Sequence, residues 1–297
     1  MNRRESGIFA KIAILLSIVI AIFTGGYFFL DKAIVPKYFG QYGIHGLKDL
    51  VGVVSSLYST PKESKFITNP YTQADFTAAI SKLQAADYLI ANDGTILEQE
   101  GRDFRGEGSV KLTDREFASV CDKLLQDNIL VDALPDLKYL NIINISLKQV
   151  VFVVDEESYD ETTQTYTKAN ISFIAKIDTT GIREQIATQM DTPIYLLKMI
   201  IPDSIYFSVE YDVDLTKAED ERILDGSVGI NSKSAKQSEI VVNLLIKFIF
   251  PEDANMTIEK FSADLGEIVL EGIDFFGDFK FVNNLGVKQN QAGILIQ

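Results

Sequence analysis

The spacing of apolar residues changes period several times along the chain, and each change predicts an element. Residues 12–30 (IAILLSIVIAIFTGGYFFL) are nineteen positions without a charge. Farther on, Ile44, Leu47, Leu50, Val51, Val54, Leu57 and Tyr58 recur at threes and fours. That spacing predicts an amphipathic helix, stopped by Pro61. Thr72 and Asp75 make a loose capping box for a helix with Phe76, Ala79, Ile80 and Leu83 inward. Asn92-Asp93-Gly94, set between apolar runs, signals a hairpin, and the polar stretch Gln99–Gly108 reads as a loop. Val110-Lys111-Leu112 is a short strand. It leads into a second capping box, Thr113-x-x-Glu116, and a helix with Phe117, Val120, Cys121, Leu124 and Leu125 on one face.

Beyond residue 140 the period shortens to two. Residues 142–155 are rich in β-branched side chains and suit a long strand. The acidic stretch 156–168 reads as a loop. Ile171, Phe173, Ala175 and Ile177 then alternate with polar residues, as do Ile205, Phe207, Val209, Tyr211 and Val213. Between these strands, Ile182, Ile186 and Met190 suggest a helix, and Pro193 opens a further apolar stretch. Residues 223–230, 279–283 and 293–297 suit shorter strands, with a turn at Asn284. Helical faces recur at Ile240–Phe248 and Ile258–Val269. The expected architecture is α+β: a transmembrane helix, then an antiparallel sheet of long strands whose apolar face is covered by helices. The expected divisions are 1–30 as cytoplasmic stub and anchor, 31–105 as linker and juxtamembrane helices, and 106–297 as the main domain.

At about 1.5 Å per residue, the run 12–30 spans about 28 Å, close to a bilayer's hydrocarbon thickness. It is longer than a signal peptide's apolar core, and aromatics follow the best cleavage site, Thr24-Gly25-Gly26. Arg3, Arg4 and Lys11 precede it, which predicts a cytoplasmic N-terminus and an extracytoplasmic body. Ala13, Ser17, Ala21 and Gly25 recur every four residues. They form a small-residue stripe suited to a second helix, of a partner or of another copy. The alternative is that small residues are simply common in membrane helices.

Charge and composition narrow the chemistry. The chain carries 28 Lys+Arg against 42 Asp+Glu, a net −14. Residues 1–30 hold three of the basic and one of the acidic groups, so the rest carries −16. Such a body is a poor nucleic-acid ligand, since that binding rests on neutralising phosphates. With one histidine, His45, and one cysteine, Cys121, there is no multi-His or Cys-rich metal site and no disulfide. Gly101 to Gly106 has Walker-like spacing, but Glu107 stands where a phosphate-binding lysine belongs. The acidic group Asp155, Glu156, Glu157, Asp160 and Glu161 lacks the spacing of a calcium loop and reads as a solvated hairpin tip. No cofactor, metal site or catalytic residue is assigned, and an enzyme is not expected. Carboxylate pairs brought together by the fold stay open.

The run Val110-Lys111-Leu112-Thr113-Asp114-Arg115-Glu116-Phe117, the long alternating strands and the returning terminal strand resemble bacterial single-pass proteins with a TULIP-like (tubular lipid-binding) external domain. The resemblance covers about residues 109–297 and is one of organisation. It implies an apolar groove for acyl chains, which Phe173, Ile177, Phe207 and Val209 would line. In the alternative those residues are ordinary core. The protein is then a structural or assembly subunit of a cell-envelope complex, with the bilayer, a membrane protein or a second copy as partner.

Overall fold

The computed structural model describes residues 26–40, 43–58, 66–127, 144–181, 183–184, 201–218, 221–231, 233–234, 270, 272–283 and 291–297. The small-residue stripe Ala13, Ser17, Ala21 and Gly25 lies outside the described residues. So do Ile182, Ile186 and Met190, the stretch from Pro193 to residue 200, the helical faces at 240–248 and 258–269, and the turn at Asn284.

From Gly26 the chain is helical. It passes through a π-helical turn, Leu30–Ile34, into α1 (Val35–Phe39). The helices α2 (Leu47–Tyr58), α3 (Gln73–Ala85) and α4 (Asp114–Gln126) follow. Among the described residues no helix is long and apolar enough to cross a membrane. Both capping boxes form. The Thr113 hydroxyl accepts the Glu116 amide at 3.1 Å, and the Glu116 carboxylate accepts the Thr113 amide at 2.8 Å. Thr72 and Asp75 exchange the same pair of bonds at the start of α3. Each box satisfies amides that a helix start leaves without partners. At the expected hairpin, Ile90 bridges Ile96, and Gly94 takes φ +90°, a conformation open to glycine at no steric cost.

The strands are β1 (Val110–Thr113), β2 (Asn144–Val154), β3 (Tyr159–Asp160), β4 (Thr165–Tyr166), β5 (Lys168–Asp178), β6 (Ser204–Asp214), β7 (Ile223–Ile230), β8 (Lys233–Ser234), β9 (Phe279–Asn283) and β10 (Gln291–Ile296). They form one antiparallel sheet in the order β3-β4-β9-β10-β2-β5-β6-β7-β8, with β1 also on β10. One side of β10 is shared. Gln291 and Ala292 pair with β2, and the next four residues pair with β1, so β1 and β2 succeed each other along it.

The register places one apolar face together. Phe173 faces Val209, Ala175 faces Phe207, Ile177 faces Ile205, and Val209 and Phe207 in turn face Val228 and Ile230. On β2 the alternation breaks at Lys148, where a bulge puts Leu147 opposite Ala175 and Gln149 opposite Ile174. Ile145 and Leu147 before the bulge, and Val150, Phe152 and Val154 after it, therefore all join the same face. A second bulge, on β7, leaves Leu224 unpaired and 54 % exposed. α4 packs across β2, and rings link it to the sheet: Phe117 meets Phe152 at 5.7 Å and Phe276 at 6.2 Å, and Phe152 meets Phe281 at 6.0 Å. Farther along, Phe104 stacks on Phe275 at 4.8 Å and the Tyr88 hydroxyl donates to the Phe276 carbonyl at 2.6 Å, so residues 88–104 share this core.

Two local expectations change. The stretch 156–168 is not all loop. It holds the hairpin β3–β4, whose Tyr166 pairs with Phe281, because Tyr159 and Tyr166 offer rings that meet at a tilt with centroids 4.9 Å apart. The side of β5–β6 away from the core is not uniformly solvated either. Phe66 and Ile67 cross it and bury Ile174 and Tyr206, with Phe66 and Tyr206 edge to face at 5.8 Å.

Candidate functional site

The four residues expected to line a groove sit on neighbouring strands and on one face. Phe173 and Ile177 come from β5, Phe207 and Val209 from β6. Ile177, Phe207 and Val209 are buried and Phe173 is partly buried, with its ring 6.4 Å from that of Tyr211. Ile177, Phe207 and Val209 belong to the main core cluster, and Phe173 packs against it.

Among the described residues, two clefts open elsewhere on the surface. One, of about 520 Å³, lies between α3 and β1 and is lined by Lys82, Ala86, Gly108, Val110 and Lys111 among others. The other, of about 490 Å³, is edged by Arg105, Arg222 and Lys280 and by Asp160, Asp274 and Asp278. Its charges are largely engaged. Arg105 donates to the carbonyls of Phe275 and Asp274 at 3.0 and 3.1 Å, Arg222 pairs with Asp274 at 3.6 Å, and Asp160 accepts the amide of Thr162 at 2.8 Å. Neither cleft is lined by Phe173, Ile177, Phe207 or Val209.

The fold does bring carboxylates together, in a polar seam along α4. Asp114, Glu116 and Asp122 are all buried on this helix. Asp122 accepts the Leu147 amide at the β2 bulge at 2.6 Å and Gln126 at 2.7 Å, and it also accepts the Tyr71 hydroxyl. Burial raises the Tyr71 pKa above its ordinary value, and the bond to Asp122 adds to the effect. Asp114 accepts Asn69 at 2.7 Å and the Arg115 amide at 2.8 Å, and burial holds its carboxyl above the usual aspartate range. Glu116 pairs with Lys82 at 2.7 Å. Gln149, turned off the core face by the bulge, accepts the amides of Thr68 and Asn69 at 2.7 Å each. Each of these groups is spent on the fold, so the seam fastens the segment 68–72 and α3 to α4 and β2. Among the described residues no group of three or more His, Cys, Asp or Glu is placed to hold a metal ion.

Cys121 is buried on the core side of α4. Burial, with a smaller contribution from Asp122, raises its thiol pKa, so the thiolate is disfavoured. His45 is exposed beside the start of α2, where its amide donates to Asp49 at 2.9 Å. The acidic tip at 155–161 is solvated apart from the half-covered Ser158, and Asp155 caps its own turn. The seam escaped sequence reasoning, although two signals for it were present. The capping box marked Glu116, with Asp114 in the same first turn, and the parity change from Ile145 and Leu147 to Val150 and Phe152 marked the bulge.

These features define an α+β domain with an antiparallel sheet of long strands, an apolar sheet face packed in the core and a structural carboxylate seam. Compared with family models, with curated proteins and with solved structures, the chain matches none.

Proposed function

We propose that the chain is a non-enzymatic, extracytoplasmic domain held to the cell membrane by residues 12–30, and that it serves as a structural or assembly subunit of a cell-envelope complex. The observation that carries this reading is the packing of Ile177, Phe207 and Val209 into the protein's own core. An acyl-chain carrier of the TULIP-like kind needs an open groove along that face, and a filled face favours a role in assembly. The anchor draws support from Tyr27, Phe28, Phe29 and Leu30, which are exposed where the uncharged run ends. Aromatic residues at such a position suit the membrane–water interface. The stripe Ala13, Ser17, Ala21 and Gly25 supplies the membrane-embedded contact with a partner.

The test is gentle extraction of the full chain from its native membrane, with crosslinking and native mass spectrometry. A stoichiometric partner protein and no lipid retained by the chain alone are expected. A monodisperse monomer without partners overturns the assembly role, and a lipid that stays bound to the isolated chain returns the acyl-chain carrier.

A further inference from the structure

We propose that α2 is a second membrane contact: its exposed face, carrying Lys48 and Val51, seats on the lipid headgroup layer. This rests on the reading of residues 12–30 as the anchor. Tyr27, Phe28, Phe29 and Leu30 are 51, 57, 61 and 45 % exposed. Successive helical residues point about 100° apart, so four in a row face every side. The helix is therefore bare there, and the body meets it only from Asp31 onward.

At Asp31 the body closes on the helix at once. The Asp31 carboxylate accepts the Leu47 amide at 2.7 Å, at the start of α2. Gly46 makes room for it, since a Cβ there would stand 2.6 Å from the carboxylate oxygen. The Leu47 amide, helped by Lys32, holds the Asp31 carboxyl below the usual aspartate range, so the junction stays ionised and latched. The first turn of α2 thus lies level with the residue that follows the apolar run. Val51 is four residues farther on, at most about 6 Å along the helix axis. The headgroup layer is about 5–7 Å deep on each side of a bilayer, so Val51 falls within it or at its edge.

The exposed face fits that setting. Lys48, Val51, Gly52 and Ser55 are exposed, while Val53, Ser56 and Leu57 face the body. Val51, at 65 %, is barer than any other large apolar residue among those described. Charge agrees. Residues 31–58 hold Lys32, Lys37 and Lys48 against Asp31 and Asp49, a net +1, which leaves −17 on residues 59–297. Anionic headgroups attract the first segment weakly and repel the rest. Two contacts fix the tilt of the body, where a single helix would let it swing.

The experiment places nitroxide labels on the full chain in nanodiscs of phosphatidylcholine and phosphatidylglycerol, at Val51→Cys, Phe28→Cys and Leu224→Cys in a Cys121→Ser background. Collisions with oxygen report lipid, and collisions with a water-soluble nickel chelate report solvent. The label at 28 should favour oxygen, the label at 224 should favour nickel, and the label at 51 should lie between them. A label at 51 as open to nickel as the label at 224, while 28 favours oxygen, overturns the seating of α2 and leaves the anchor standing. A label at 51 shielded from both reagents also overturns it, in favour of a protein contact. A label at 28 that favours nickel removes the anchor and this inference with it.

Discussion

Across β5 and β6, side chains of the core face meet like with like: Phe173 opposite Val209, Ala175 opposite Phe207, Ile177 opposite Ile205. On α4 the buried side mixes Phe117, Val120 and Leu124 with Asp114, Glu116 and Asp122, and each of those carboxylates has a named partner. The two regions hold the same core by different physics. Apolar contact is non-directional and scales with area, so the strand face is set by volume and register. A buried carboxylate contributes little net stability when paired but costs heavily when a partner is lost, so the seam is set by identity. The seam also explains how α3 and the segment 68–72 are placed, since apolar area alone would let them slide.

The largest expected effect falls on the strand face. Phe207→Ala should lower stability by about 3–5 kcal/mol, the usual range for removing a buried ring. Unfolding of the full chain in detergent by denaturant measures it. A loss under about 1 kcal/mol would mean that the face is not close-packed, and would favour a groove after all.

Next comes the seam. Asp122→Ala leaves the Leu147 amide and the Tyr71 hydroxyl without their acceptor. At about 1–3 kcal/mol for each buried group left unpaired, two groups come to about 2–6 kcal/mol, and because Tyr71 is only partly buried the loss should fall in the lower half of that range. Asp122→Asn, which keeps one carbonyl acceptor, should recover part of it. Equal losses for the two variants would show that charge, and not hydrogen bonding at the bulge, holds α4 to β2. Gln149→Ala should cost less, about 1–2 kcal/mol, because Thr68 and Asn69 lie nearer to water. Hydrogen exchange should speed up at the amides of Thr68 and Asn69 and stay unchanged at the centre of β5. Uniform acceleration would mean that Gln149 acts on global stability instead of on this one segment.

The contrast between the regions also decides what could be read from sequence. Period-two alternation carries the strand face directly, so it places Phe173 with Ile177, and Phe207 with Val209, on the apolar faces of their strands. Both capping boxes are local, and both formed as read. What could not be read is set by sequence-distant partners. Asp122 looks like a solvated helix residue until Leu147 and Tyr71 arrive from 25 and 51 residues away. Tyr206 belongs to the polar phase of its strand, yet Phe66, far back in the chain, covers it. The Lys148 bulge lies between these cases. The change of parity is visible, but an extra residue and a plain irregularity look alike until β5 fixes the register.

The smallest effect is a difference in sign between the two regions as pH falls. Burial in the seam raises the Asp114 pKa. The folded state then holds that proton more tightly than the unfolded chain does. The contribution to stability is complete below the ordinary aspartate value of about 3.9 and is lost as pH rises through the raised folded value. Asp214, at the end of β6, is shifted the other way. The Thr216 hydroxyl at 2.6 Å lowers its pKa against the effect of burial, with help from the Thr216 amide and from Lys168 at 3.2 Å. Its contribution is present above the ordinary value and is lost as pH falls through the lowered one. Unfolding free energies of the parent chain, Asp114→Asn and Asp214→Asn, measured from pH 7 down to about pH 3, should therefore diverge. With acidification the parent gains on Asp114→Asn and loses its advantage over Asp214→Asn. If both differences move in the same direction, burial does not raise the seam carboxylate above its ordinary value, and the distinction between the two regions fails at its most acidic point.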